Sequence, residues 1–114
     1  MQIVPVKPIP NQSFPVTLNG QSCTINLYWK GLVNPFLYMD LYVNNILIIG
    51  GVMCLNANVI VRNTYLGFIG DLAFYDTQGA TNPNYTGLGE QYILVYLAPG
   101  DVPGSTVQTL QVAA

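Results

Sequence analysis

Charge is what this chain has least of. Among 114 residues there are 3 Lys and Arg, 5 Asp and Glu and no His, so 7% are charged and the net charge is −2. An ordinary soluble domain carries about 25% charged residues. Each shortage closes off a class of function. Three cations cannot build the clustered basic face that nucleic acid requires. Without His there is no Ser-His-Asp triad, no Cys-His pair and no His-ligated metal. Long hydrophobic runs are missing too. The longest, Ile46 to Leu55, stops at Asn56, whereas a membrane helix needs about 18 apolar residues. No window keeps a helical period over three turns, and no segment repeats. The start, Met1 to Pro10, has no apolar h-region and reads as no secretory signal, so the Asn11-Gln-Ser13 and Asn84-Tyr-Thr86 sequons carry no weight. Cys23 and Cys54 are the only cysteines, too few for a disulfide framework. They read as reduced, buried thiols; a bridge between them needs their strands to pack close together.

What is abundant is apolar or neutral. The hydrophobic fraction is 51%, which excludes a disordered chain. The polar surface must come from 11 Asn, 7 Gln, 8 Thr and 8 Tyr. So small and uncharged a domain suits a subunit whose surface is covered in an assembly.

Strand signals dominate. Pro5, Pro8 and Pro10 leave residues 1–10 with few free N–H groups, so this segment reads as an edge strand or an extended arm on a neighbour. Phe14, Val16 and Leu18 alternate up to Asn19-Gly20, a pair that favours a type I′ turn. Cys23, Ile25, Leu27 and Trp29 then share one face, with Thr24, Asn26 and Tyr28 on the other. Lys30 to Pro35 reads as a turn. Leu37, Met39, Leu41 and Val43 oppose Phe36, Tyr38, Asp40 and Tyr42. Asn44-Asn45 turns the chain again, and Gly50-Gly51 marks a bulge or bend. Val52–Leu55 and Val59–Val61 are short β-prone pieces. Leu66 to Tyr75 reads as one strand, Asp76 to Glu90 as a long polar loop, functional or mobile by its length, and Gln91 to Ala98 as the last strong strand. The pattern predicts an all-β fold, a small antiparallel β-sandwich or partly open β-barrel of about seven to nine strands. The division expected is an N-terminal arm 1–10, a single domain 11–101 and an extended tail 102–114.

Candidate chemistry is thin. Asp71 and Asp76 are the best carboxylate pair for a glycosidase, but an odd separation on a strand sets them on opposite faces. Asp76 more readily caps a turn, and Asp71 more readily meets Arg62 or a backbone N–H. Asp76-Thr-Gln-Gly lacks the alternating acids of a calcium loop, and the glycines match no phosphate-binding fingerprint. No catalytic residue, metal or cofactor is expected. Tyr38 and Tyr42 share one strand face, as do Tyr92 and Tyr96; tyrosines on an outer face fit cross-strand pairing or a protein interface better than base stacking. A sugar-binding or adhesion domain, with Tyr28, Trp29 or Tyr85 stacking on the sugar, is the alternative.

From Leu41 onward the order of residues is informative. Leu41-Tyr-Val-Asn-Asn-Ile-Leu-Ile-Ile-Gly-Gly-Val-Met-Cys-Leu55 precedes Arg62. Then come Tyr65-Leu-Gly-Phe-Ile-Gly-Asp-Leu-Ala-Phe-Tyr-Asp-Thr-Gln-Gly79, Asn84-Tyr-Thr-Gly-Leu-Gly89 and Tyr92-Ile-Leu-Val-Tyr-Leu97. With the Pro-rich start, this resembles the baseplate plug family of contractile-tailed bacteriophages over roughly residues 2–98, and Gly-Asp-Leu-Ala-Phe with Asp-Thr-Gln-Gly is the most specific part. The tail after Asp101 is outside the resemblance. The resemblance implies a non-enzymatic virion protein in the tail baseplate, assembled in the host bacterial cytoplasm. It implies baseplate hub and tail-tube-end proteins as partners and a homo-oligomer, while the three cations and the short apolar runs point away from specific nucleic-acid recognition and from a membrane. It brings no catalytic residues. The motif positions are Arg62, Tyr65, Gly67, Phe68, Gly70, Asp71, Phe74, Asp76 and Gly79. The candidate contact or motif residues are Val4, Val6, Arg62, Tyr65, Asp71, Asp76, Tyr85 and Tyr92.

Overall fold

The structure, a computed structural model, describes residues 2–62, 67–100 and 111–112. Its strands are β1 (Gln2–Val4), β2 (Asn11–Leu18), β3 (Gln21–Lys30), β4 (Phe36–Val43), β5 (Ile46–Met53), β6 (Asp71–Asp76), β7 (Tyr92–Leu97) and β8 (Gln111–Val112). They form two sheets, β2-β3-β4-β5 and β6-β7-β1-β8. The sheets share one buried core and do not close on each other, so the fold is the sandwich rather than the barrel.

The first sheet is a meander whose register is set by its turns. Asn19 and Gly20 have φ of 51° and 74°, and Asn44 and Asn45 have 51° and 65°. Both central residues being positive is the type I′ condition, whose twist matches that of the flanking strands. The register that follows puts Phe14 opposite Ile25 and Ile25 opposite Leu41. Leu18, Cys23, Ile25, Leu27, Leu37, Met39 and Leu41 all point inward and are buried, as their alternation predicts. Pro15 lies in β2, at the sheet's edge, where a missing N–H costs no ladder bond. Between β4 and β5 the register slips on either side of Leu41. Gly51 takes φ 65° there, so the glycine pair does mark a bulge. β5 nevertheless runs on through Val52 to Met53, rather than breaking into a new piece.

The second sheet is assembled from distant parts of the chain. β6 pairs with β7 and β7 with β1, both antiparallel, and β8 runs parallel to β1. Gln2–Val4, read above as part of an edge strand or an arm, therefore lies between two strands of its own chain, and Val4 is buried. The prolines do not prevent this because the first of them, Pro5, comes directly after the paired residues. Of the tail 102–114, only Gln111 and Val112 fall among the described residues. β6 also begins later than its apolar pattern suggests. Gly67 and Gly70 have φ of 92° and 94°, outside the range of strand backbone, so pairing starts at Asp71.

Leu72, Phe74, Leu94 and Tyr96 close the core from this side, with Phe68 and Leu88 filling beside them. The opposite face is covered as well. Ala73, Tyr75, Val95 and Leu97 form a second buried cluster, with Val59 and Ile93 packed on it. Cys23 and Cys54 are both free and buried. Burial pushes the Cys54 thiol up to about 12 and raises Cys23 as well.

Candidate interaction surface

The two carboxylates that could have formed a catalytic pair stand at opposite ends of β6, and each is occupied by bonds that shape the chain. Asp71 accepts from four backbone N–H groups. Its Oδ1 receives Ile60, Val61 and Leu72 at 3.0, 2.7 and 2.7 Å, and its Oδ2 receives Arg62 at 2.8 Å. This one carboxylate fixes the 60–62 segment against β6. Arg62 is held with φ 67°, and its Nε donates to the Val59 carbonyl at 2.8 Å. The expectation that Asp71 meets a backbone N–H therefore understates its role. Tyr65 lies outside the described residues.

Asp76 organises the long loop. Its Oδ2 accepts from the Thr81 hydroxyl at 2.7 Å and the Thr81 N–H at 3.0 Å, and its Oδ1 from the Gln78 N–H at 2.8 Å and Gln91 Nε2 at 3.1 Å. These bonds, Thr81 foremost, hold its carboxyl well below the usual carboxylate range. The Thr81 hydroxyl also meets the Tyr92 hydroxyl at 2.7 Å. A single 3-10 turn, Tyr85–Gly87, is capped by Asn84, whose side chain accepts from the Thr86 N–H at 3.1 Å. Leu88 is buried just after it. Length suggested a functional or mobile loop; the side chains make 76–90 a folded part of the domain.

Two organising residues give little sign of themselves in sequence. Gln21 is the one polar side chain buried among the described residues. Its amide donates to the Leu18 and Ile69 carbonyls at 3.1 and 3.0 Å and accepts from the Ile69 N–H at 2.8 Å. The Tyr96 hydroxyl donates to the same Ile69 carbonyl. The signal available was parity, because Gln21 occupies the inward register of Cys23, Ile25 and Leu27. Asp40 sits on the outward face and accepts from the Gly51 N–H at 2.7 Å and the Tyr28 hydroxyl at 3.0 Å. It pins the bulge, and no sequence pattern announces it.

The outward face of the first sheet is neutral and aromatic. Tyr28 and Tyr38 are cross-strand neighbours, stacked at 5.9 Å with planes 18° apart. The Lys30 ammonium lies 5.4 Å from the centre of the Tyr38 ring. Tyr42 continues the row, with Leu47 and Met53 exposed on β5 opposite Tyr42 and Tyr38. Beyond the sheet, Leu32 projects fully and Val33 largely into solvent from the β3–β4 loop. Among the residues named in advance, Val4 and Tyr92 are interior, while Val6 and Tyr85 are partly exposed and pack on the core. Trp29 and Tyr85 meet edge-on at 5.6 Å. Trp29 shares the inward register of Leu27, and Tyr28 points the other way. The three rings suggested for sugar stacking do not share a platform.

The family model described as cyanophage baseplate Pam3 plug gp18 matches residues 1–99. The chain belongs to this family. The match takes in both sheets apart from β8, together with Asp71, Asp76, Gln21 and the whole aromatic face. A baseplate plug is a structural component of the phage virion's tail, and the chain is such a component. No curated protein matches the chain.

Proposed function

We propose that this baseplate plug is a non-enzymatic adaptor at the central hub and tube end, acting through protein–protein interfaces. The outward face of the first sheet carries this reading. It presents Tyr28, Tyr38, Tyr42, Leu47 and Met53 around two locally held charges, the bonded acid Asp40 and the Lys30 ammonium over the Tyr38 ring. Interface cores are enriched in Tyr and Met and depleted of charge. Tyrosine also brings a large contact area at little conformational cost. The rest of the reading is that neighbouring hub and tube-end proteins, with further copies of the chain, cover this face. Assembly takes place in the host cytoplasm, and neither nucleic acid nor membrane is a partner. Val6, Arg62 and Tyr85 remain contact candidates at the margins, whereas Val4 and Tyr92 act through the fold.

The test is electron microscopy of tails carrying wild type or Tyr38→Ala/Tyr42→Ala. The expected result is density for the wild-type chain at the tube end, with its aromatic face against a neighbour, and loss of that density in the double variant. Wild-type density with this face open to solvent would sink the reading.

A further inference from the structure

The β3–β4 loop is built to display two aliphatic side chains. Gly31 has φ 127°, and a Cβ there would come within 2.9 Å of the Pro35 backbone. Asn34 is left-handed too, with φ 56°. This tight geometry leaves Leu32 as exposed as in an extended chain and Val33 about four-fifths exposed, at 104% and 82%. A few residues away lies the opposite shape. An open apolar groove of about 450 Å³ runs along β2, lined by Pro5, Val6, Ile9, Phe14, Pro15 and Val16 among others. Its far wall, residues 5–9, is buckled to β2 by Gln12. Gln12 Nε2 donates to the Lys7 carbonyl at 2.7 Å, and its Oε1 accepts from the Lys7 N–H at 3.1 Å.

We propose that Leu32 and Val33 of one copy fill this groove on a second copy, reciprocally across a two-fold axis. The Trp29 N–H donates to the Pro10 carbonyl at 2.8 Å. That bond ties the base of the protruding loop to the segment that carries Ile9. Projection and groove are therefore side by side, and a two-fold axis beside them sets each loop over the other copy's groove. Such an interface is isologous and closes at two copies. The charges are compatible. The segment 31–35 carries none, the Lys30 ammonium is held over its own Tyr38 ring, and Lys7 is the only ionisable residue of the groove. Three cations against a net charge of −2 also disfavour an anionic lipid surface as the acceptor of the loop. Two aliphatic side chains and one groove fall short of the roughly 1,000 Å² of a stable interface, so the pairing is weak and reversible in solution. It gains strength where an assembly holds copies together. The inference deepens the contact-driven reading above, but its test uses the purified chain and is independent of where that chain sits in the tail.

Sedimentation velocity over rising concentration should show a reversible monomer–dimer equilibrium. Leu32→Ser/Val33→Ser should weaken it by about tenfold or more with little change in the melting curve, since both side chains lie largely in solvent in the monomer. A second measurement mixes Val33→Cys protein with Ile9→Cys protein under mild oxidation. The expected product is a disulfide joining one variant to the other; the native thiols are buried and do not compete. A wild type that stays monomeric, a dimer indifferent to the double substitution, or no mixed disulfide overturns the proposal. So does flotation of the wild type, but not of Leu32→Ser/Val33→Ser, with anionic vesicles, which would assign the loop to lipid. If the chain pairs this way yet is absent from purified tails, the adaptor reading fails and this one stands.

Discussion

In the first sheet, neighbours in space are neighbours in sequence: Leu18 faces Gln21, Val43 faces Ile46, and each pair is joined by a two-residue turn. In the second sheet, β1 lies against β7, and the whole first sheet separates them along the chain. What fixes the second sheet is not turn chemistry but side chains bonded to distant backbone. Asp71 gathers N–H groups from Ile60 to Arg62, and Gln21 clasps Ile69 from 48 positions away. The exposed faces differ accordingly. The first sheet is half open and aromatic, while the second is covered on both sides. A meander can be encoded residue by residue and leave one face free for contacts. A sheet built from distant segments is enclosed here and held by polar side chains, Gln21 and Asp71, that reach backbone outside their own strands.

If this contrast is right, the most damaging substitutions belong to the second sheet. Gly70→Ala should be the worst. It adds a Cβ against the Leu97 carbonyl and the Tyr96 ring at a residue with φ 94°, for a loss of about 4 kcal/mol, read by urea unfolding. Asp71→Asn keeps an acceptor but forfeits the charge that serves four N–H groups. It should cost about 2–3 kcal/mol and speed hydrogen exchange at 60–62 before anything in the first sheet.

Acid probes the same difference. The Asp76 carboxyl titrates below its ordinary 3.8 in the folded chain, so the unfolded chain takes up its proton first. The stability this group contributes is complete above about pH 4 and falls as pH drops toward the lower folded value. Asp76→Asn should flatten that part of the acid unfolding curve. The first sheet should forgive more. Gly20→Ala meets no atom within 4 Å and strains only the turn, φ 74°, at about 1 kcal/mol. Tyr38→Ala removes one cross-strand stack, worth less than about 1 kcal/mol, and should show in assembly more than in melting. Equal losses at Gly20 and Gly70 would erase the distinction between the sheets.

The same contrast explains what could be read in advance. The Asn19-Gly20 and Asn44-Asn45 turns, the inward row of Cys23, Ile25 and Leu27, and the bulge at Gly50-Gly51 are local signals, and they place the first sheet almost residue by residue. β1 was hidden because three residues ahead of a proline cluster carry no periodicity of their own; only the partner strands show where they belong. The sequence extends β6 too far because apolar residues continue across Gly67 and Gly70, and their positive φ leaves no mark in hydropathy. The contact surface was half visible. The parity of Tyr38 and Tyr42 gave the aromatic face, but the groove along β2 depends on where residues 5–9 come to rest, a matter settled by Gln12.

The buried sulfhydryls have a practical meaning for the chemistry of this chain. Thiolate, not thiol, attacks oxidants and disulfides, and Cys54, with its ionisation pushed up to about 12, is protonated at any pH at which the protein is handled. Cys23 is shifted the same way behind the same core. The molecule contains two sulfhydryls, and both are buried. With no bridge to lose and no thiol at the surface, the fold is expected to tolerate reducing and oxidising surroundings alike, and a cysteine added to the surface is the one a reagent should reach first.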